Sequence, residues 1–242
     1  EGKPDWLPGF PVQIYCNRSD KMKVIQPMIK INPIELQQNK IMHIVKYARV
    51  CYQSEGSPKD SISFLTKLIR MGHESVIEHE KVTVTFVVDR GISNQIVRHR
   101  IASYSQESTR YCNYSQNKFG SEITVIEPFF YCNRVREYQL WLSACQQAEN
   151  AYLELLKLGS PEEARSVLPN SLKTELVTTY NFREWRHFFS LRCAKDAHPQ
   201  IRQVAIPLLI LFKETFAPLF DDINFDESFD EKYYGKVVRV SD

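Results

Sequence analysis

The chain has 242 residues, a formal net charge of +2, 43% apolar and 25% charged residues, and length enough to bury a sizeable core in one large domain or two small ones. That ordinary mix excludes a disordered or fibrous protein, and so small a net charge argues against a broad nucleic-acid or membrane-surface footprint. No apolar run approaches the ~20 residues that span a bilayer, and residues 1–20 offer no signal-peptide-like apolar stretch. Cys16, Cys51, Cys112, Cys132, Cys145 and Cys193 form no CxxC pair, which reads as free thiols in a cytoplasmic-type compartment with no zinc.

In chain order, residues 1–32 contain β-like pieces at Val12–Tyr15 and Met22–Ile31. Asn32 and Pro33 are expected to open a helix carrying Ile41, Ile44, Val45 and Ala48. A loop at 54–61 precedes a second helix with Ile62, Leu65, Leu68 and Ile69 on one stripe and Gly72 as its stop. Lys81–Asp89 alternates as a half-buried strand. A short helix is predicted from about Ile92 to Arg100, then a polar loop to about Gly120 and a strand over Glu122–Glu127.

The longest helix is predicted over Arg134–Leu158, with Gly159 at its end. Ser160, Pro161 and Glu163 spell a capping box with proline at the first helical position. A strand over Leu172–Tyr180 then runs into Asn181, whose spacing to Glu184 starts another helix reaching about Cys193. Pro199 opens a final apolar helix, which Pro207 should bend or weaken, and the tail ends in a strand-like KVVRV. Helices and strands show no βαβ rhythm, so the expected fold is a single α+β domain over 1–242, a mainly antiparallel sheet packed by helices.

Only eight glycines occur, none in GxGxxG or P-loop spacing, so a bound dinucleotide would rely on arginine side chains and helix ends instead of a Rossmann turn. His73 and His79, with Glu74 and Glu78 between them, do not match the face a helical zinc pair needs, and no metal is expected. The densest polar constellation lies in residues 95–110: Gln95, Arg98, His99, Arg100, Ser103, Ser105, Gln106, Glu107, Ser108, Thr109 and Arg110. On a helix Gln95, Arg98 and His99 would share a face, and converging arginines and hydroxyls suit a phosphate or nucleotide. A solvated basic face, or an arginine-rich contact to single-stranded nucleic acid, is the plainer reading of the same residues. In the helix after Asn181, Trp185, Phe188, Phe189 and Arg192 fall on one stripe, while Arg183 and His187 lie opposite. A guanidinium on an aromatic stripe needs an anion or acceptor, unless it snorkels to the helix end.

Arg98-His99-Arg100 followed by seven residues and Ser108 resembles the signature of flavin-dependent thymidylate synthases. Gly72-His73-Glu74-Ser75 with Glu78-His79, Ala164-Arg165 with Leu168-Pro169, and Asn181-Phe182-Arg183 with Leu191-Arg192 resemble that family's other blocks, in order, in a motif-bearing core of about 32–217. The resemblance implies reductive methylation of dUMP to dTMP, with FAD as cofactor, NADPH as reductant and methylene-tetrahydrofolate as carbon donor. It implies a dUMP pocket of Gln95, Arg98, Gln106, Glu107, Ser108, Arg110, Arg165 and Arg192, with Arg192 catalytic against the uracil. The FAD site would take His73, Ser75, Arg98, His99, Arg100, Asn181, Arg183 and His187. A homotetramer with active sites between subunits is implied as well, with no nucleic acid or membrane partner. Ser108 has arginines and no evident base nearby, which fits phosphate binding better than a nucleophile, and no Pro-Cys-His segment supports Cys112 as one. Gln106-Glu107 stands where relatives often carry Glu-Leu, and Cys51 and Asp196 stand where some place a flavin-side Ser and His. His43 and His198 are read as satisfied structural histidines.

Overall fold

A computed structural model describes residues 22–54, 60–116 and 122–241; the piece at Val12–Tyr15 and the heart of the 54–61 loop lie outside them. In chain order the elements are β1 (Lys23–Ile25), β2 (Met28–Ile31), α1 (Asn39–Tyr52), α2 (Ser61–Arg70), β3 (Lys81–Asp89), α3 (Arg90–Ile96) and β4 (Ala102–Gln106). They continue with β5 (Thr124–Ile126), α4 (Val135–Leu158), α5 (Pro161–Ala164), β6 (Lys173–Asn181), α6 (Phe182–Arg192), α7 (Pro199–Phe216) and β7 (Lys236–Arg239). The main sheet has the order β4-β6-β3-β2-β7, antiparallel except for the parallel β2–β7 pair. β1 and β5 form a small parallel pair of their own. The architecture is the expected α+β fold.

Alternation along β3 buries Val82, Val84, Phe86 and Val88, and β3 pairs with β6 from Lys81 opposite Asn181 to Asp89 opposite Lys173. Helices α1, α2, α6 and α7 join this sheet in the larger core, whose centre is aromatic: Trp185, Phe188, Phe189, Phe212, Phe216 and Phe220. A smaller core gathers Met22, Tyr114, Ile123, Val125, Leu142, Cys145, Tyr152, Ala164 and Leu172 along α4. The Ser160 capping box is formed, with Glu163 returning to the Ser160 N–H at 2.8 Å. Gly72 ends the turn after α2 at φ +72°, a left-handed conformation that costs an L side chain.

Three local expectations are corrected. Asn32 does cap at the expected place, its Oδ1 accepting from Ile34 N at 3.0 Å, but it caps only a 3₁₀ turn over Pro33–Leu36, and α1 begins at Asn39. Helix α3 stops at Ile96, not at Arg100, because the Ile96 carbonyl is met by the hydroxyls of Tyr104 (2.8 Å) and Tyr180 (3.1 Å). That carbonyl is the acceptor Arg100 N–H would need to extend the helix. The segment read as polar loop contains β4, paired with β6 with Ala102 opposite Tyr180.

Pro207 lies inside α7, which is assigned as one helix from Pro199 to Phe216. A proline strands the carbonyl four residues back, here that of Gln203. Gly235 N–H supplies the missing bond at 2.8 Å, just before β7.

Candidate active site

Two caps aim the polar segments. Asp89 closes β3 and caps α3, its Oδ1 accepting from Ile92 N at 2.8 Å and its Oδ2 from Gln200 Nε2 at 3.1 Å; burial raises its pKa. Asn181 closes β6 and caps α6, accepting from Glu184 N at 2.9 Å. Because β3 and β6 run antiparallel, these two helix starts lie at opposite ends of the strand pair, and it is the C-terminal end of α3 and the turn after it that come beside the start of α6.

The turn between α3 and β4 alternates: Arg98 and Arg100 are exposed, whereas His99 is buried. Gln95, Arg98 and His99 therefore do not share a helical face; the early end of α3 turns His99 inward. Its ring meets Phe188 at 5.1 Å and His187 at 5.3 Å between centroids, both edge-on. The Tyr104 hydroxyl lies 2.5 Å from the His99 carbonyl oxygen and 2.7 Å from the Tyr180 hydroxyl, and burial pushes the Tyr104 phenol up to about 12.

His99 sits between an acid and a base. Its Nδ1 is 2.8 Å from Glu184 Oε1, and its Nε2 is 3.1 Å from Arg192 Nε. Arginine can only donate, so Nε2 carries the lone pair and Nδ1 the proton. Burial first, then the Arg192 charge, lowers the His99 pKa to about 4, so the ring is neutral. Burial likewise raises the Glu184 carboxyl and lowers the half-buried Arg192. Arg192 Nη2 also donates to the Gln95 carbonyl at 3.2 Å.

Outside this pair a hollow of about 580 Å³ is lined by Glu74, Glu78, Ile101, Asn181, Arg183, Glu184, Arg186, His187 and Ser190. A second, of about 370 Å³, is lined by His73, Ser75, Cys51 and Gly72 and shares Glu74 and Arg183 with the first. The structure thus brings His73, Ser75, Asn181, Arg183 and His187 to adjoining hollows. Arg183 pairs with Glu78 at 2.5 Å, and Arg186 ties Glu74 (2.8 Å) to Asp222 (2.7 Å) and to the Leu219 carbonyl.

The residues expected around the nucleotide divide differently. Among the described residues Arg98, Arg100 and Arg165 have no acidic side-chain partner, and all three are exposed. Arg110 pairs with Glu162 at 2.9 Å, which brings it beside the start of the segment carrying Arg165. Ser108 Oγ accepts from Arg110 N at 3.3 Å. Gln106 turns inward, donating to Ser93 Oγ (2.9 Å) and Thr174 Oγ1 (3.3 Å). Glu107 also turns inward, to Tyr114 Oη (2.9 Å) and Lys173 Nζ (2.8 Å). The side chains of Gln106 and Glu107 thus hold β4 and its loop to β6.

Sequence reasoning took Glu184 only as a capping partner of Asn181 and did not single out Arg186. No local pattern ties Glu184 to a histidine 85 residues away. His43 and His198 fit their structural reading: His43 Nδ1 is 2.7 Å from Glu80, and His198 caps α7, its Nδ1 accepting from Gln200 N at 3.3 Å. Ligand atoms of His99, Glu184 and His187 lie within 4.8 Å of one another, a potential metal set. The Arg192 cation beside His99 opposes a metal ion there.

The family profile described as "Thymidylate synthase complementing protein" matches residues 34–218. The flavin-dependent thymidylate synthase of Geobacter sulfurreducens is 39% identical over 185 residues, 72% of this chain and 78% of that protein. That of Pyrococcus abyssi is 32% identical over 207 residues, 79% and 83% of the two chains. Among solved structures, the crystal structure of a UMP/dUMP methylase, PolB from Streptomyces cacaoi bound with 5-Br UMP, aligns with a TM-score of 0.63 at 22% identity. It covers 81% of this chain and 92% of that one, a likeness of fold. The chain belongs to the flavin-dependent thymidylate synthase family.

Proposed function

We propose that this chain converts dUMP to dTMP, with FAD in the adjoining hollows beside α6, methylene-tetrahydrofolate as carbon donor and NADPH as reductant. The observation that carries the reading is the Arg192 guanidinium held by His99 and the Gln95 carbonyl, with Glu184, the other partner of His99, lining the hollow beside α6. The residues fit a flavin dinucleotide. Arg183 and His187 are exposed cationic or ring donors at the groove, and the Arg183–Glu78 pair is exposed enough to be weak, so a phosphate can take the guanidinium. The chemistry such a flavin would supply is the hydride that completes the methyl group. Asn181 at the cap of α6 and His187 within it would orient the cofactor, with His73 and Ser75 from the neighbouring hollow.

On the nucleotide side, Arg98 and Arg165 are exposed guanidiniums without acidic partners among the described residues, suited to a phosphate. Ser108, whose hydroxyl accepts from the Arg110 backbone N–H and is bonded to no base among the described residues, serves as a phosphate ligand and not as a nucleophile. Arg192, half-buried where its field is weakly screened, stabilises negative charge developing on the pyrimidine as C5 becomes nucleophilic. Assembly as a homotetramer would place partner residues over the open side of this groove. Exposed Val177, in the middle of β6, and the edge of β4, which no other described strand pairs, are consistent with such contact.

The test is the visible spectrum of the purified protein, followed by anaerobic reduction with NADPH with and without dUMP, and assay of dTMP after adding the folate. A flavin spectrum that bleaches, at a rate altered by dUMP, and dTMP formation are expected. Failure to retain flavin even with added FAD would refute the reading.

A further inference from the structure

Glu184 is a buried acid on the face of α6 toward the α3–β4 turn, and its carboxylate has no part in starting its own helix. Asn181 already satisfies the Glu184 N–H, while Oε1 goes to His99, with a side-chain exposure of 7% for Glu184 and 2% for His99. A buried acid is a poor way to gain stability compared with an apolar residue of similar volume. The geometry points to a different use. We propose that Glu184 is a positioning residue that acts through His99 to fix the orientation of the Arg192 guanidinium at the nucleotide. The inference rests on the reading of Arg192 given above.

A carboxylate only accepts, so the 2.8 Å contact places the imidazole proton on Nδ1. Nε2 then offers a lone pair to Arg192 Nε–H at 3.1 Å. In the other tautomer the Nε2–H would face the Nε–H, donor against donor, and a lone pair would face the carboxylate. Both contacts would be lost together. The Gln95 carbonyl holds Nη2 at 3.2 Å, so two anchors on different nitrogens set the guanidinium plane. No described residue accepts from Nη1, which leaves that end for a ligand. Removing the acid frees the histidine to take either tautomer and so releases one of the two anchors.

The experiment compares full-length, flavin-loaded wild type with Glu184→Ala and Glu184→Gln. It reads flavin content, kcat and KM for dUMP, and the ¹⁵N NMR spectrum of labelled histidine, with His99→Gln to assign the His99 signal among the chain's 6 histidines. Wild type should show the Nδ1-protonated tautomer. Glu184→Ala should show a changed tautomer and a kcat lower by about 100-fold, the scale of an ångström misplacement, with flavin retained. Glu184→Gln, which keeps an acceptor oxygen, should recover most of both. An unchanged tautomer and kcat in Glu184→Ala would overturn the proposal. Where that variant does not fold, the wild-type spectrum decides, because an Nε2-protonated His99 is incompatible with it. A wild type that makes no dTMP would sink the functional reading instead, while the histidine spectrum, which needs no substrate, still decides whether Glu184 sets the tautomer.

Discussion

Replacing Gly235 by alanine tests the account of how α7 tolerates its internal proline. A Cβ at Gly235 would stand 2.9 Å from the Pro27 carbonyl oxygen, 3.3 Å from that of Gln203 and 3.3 Å from Val204 Cγ1. Two of these are backbone atoms, so relief requires moving the chain and not merely a side chain. Overpacking of that kind costs about 1–3 kcal/mol. The shift also breaks the 2.8 Å bond from Gly235 N to the Gln203 carbonyl. Gln203 is fully buried, and an orphaned buried carbonyl costs about 1–3 kcal/mol. The two losses overlap, since one displacement relieves the clash and breaks the bond, giving roughly 2–4 kcal/mol in all. Denaturant unfolding at fixed protein concentration, with unchanged slope, should show a midpoint lowered to match. Adding Pro207→Ala gives Gln203 an N–H donor within the helix and should return about 1 kcal/mol of that loss. A Gly235→Ala midpoint within error of wild type, or a double variant no more stable than the single, would refute this explanation. Gly72→Ala is the contrast: nothing lies within 4 Å of its Cβ, so the cost is the left-handed backbone alone, about 1 kcal/mol.

Arg186→Met should cost about 2–4 kcal/mol, because it strands the buried Leu219 carbonyl, while Asp222→Asn, at the 55% exposed end of the same cluster, should cost under about 1 kcal/mol. Equal midpoint shifts for the two in denaturant would contradict that ranking. Ser108→Ala should raise KM for dUMP about tenfold and leave measurable turnover, the loss of one phosphate hydrogen bond. Complete loss of turnover with dUMP binding intact would instead make Ser108 the nucleophile. His99 is held neutral, with its folded pKa near 4 against an ordinary 6.5, so the unfolded chain takes up the proton first. Its contribution to stability is therefore present above pH 6.5 and lost as pH falls toward 4, while the raised Glu184 carboxyl runs in the opposite sense. The stability gap between wild type and His99→Gln should narrow over that window, and a gap independent of pH would contradict a neutral buried ring.

Periodicity made the long elements legible: β3, α4 and α6 lie where alternation, the Gly159 stop and the Asn181 cap put them. What escaped depended on partners far along the chain. β4 reads Ala-Ser-Tyr-Ser-Gln, too polar for a strand by alternation, and is one because β6 offers it hydrogen bonds. The end of α3 is set by Tyr104 and by Tyr180, 84 residues distant, and no local sequence rule sees the latter. The same limit governed the site. Cationic and hydroxyl residue types announced an anion site, but only the fold reveals that Arg98 points out while His99 points in, and that Glu107 is spent on Lys173 and Tyr114.

The division of the interior into two cores carries a consequence for how ligands act on this chain. Cys112, Tyr114, Ala164 and Leu168, which flank Arg110 and Arg165, pack in the smaller core along α4. Phe188, Phe189 and Cys193, which flank Arg192, belong to the larger aromatic one. Such clusters open as separate cooperative units with their own local stabilities. A nucleotide gripped by Arg110 and Arg165 at one end and Arg192 at the other would fasten the two together. Its binding energy would then appear as slowed amide exchange in the less stable unit, in buried strands and helix turns that never touch the ligand.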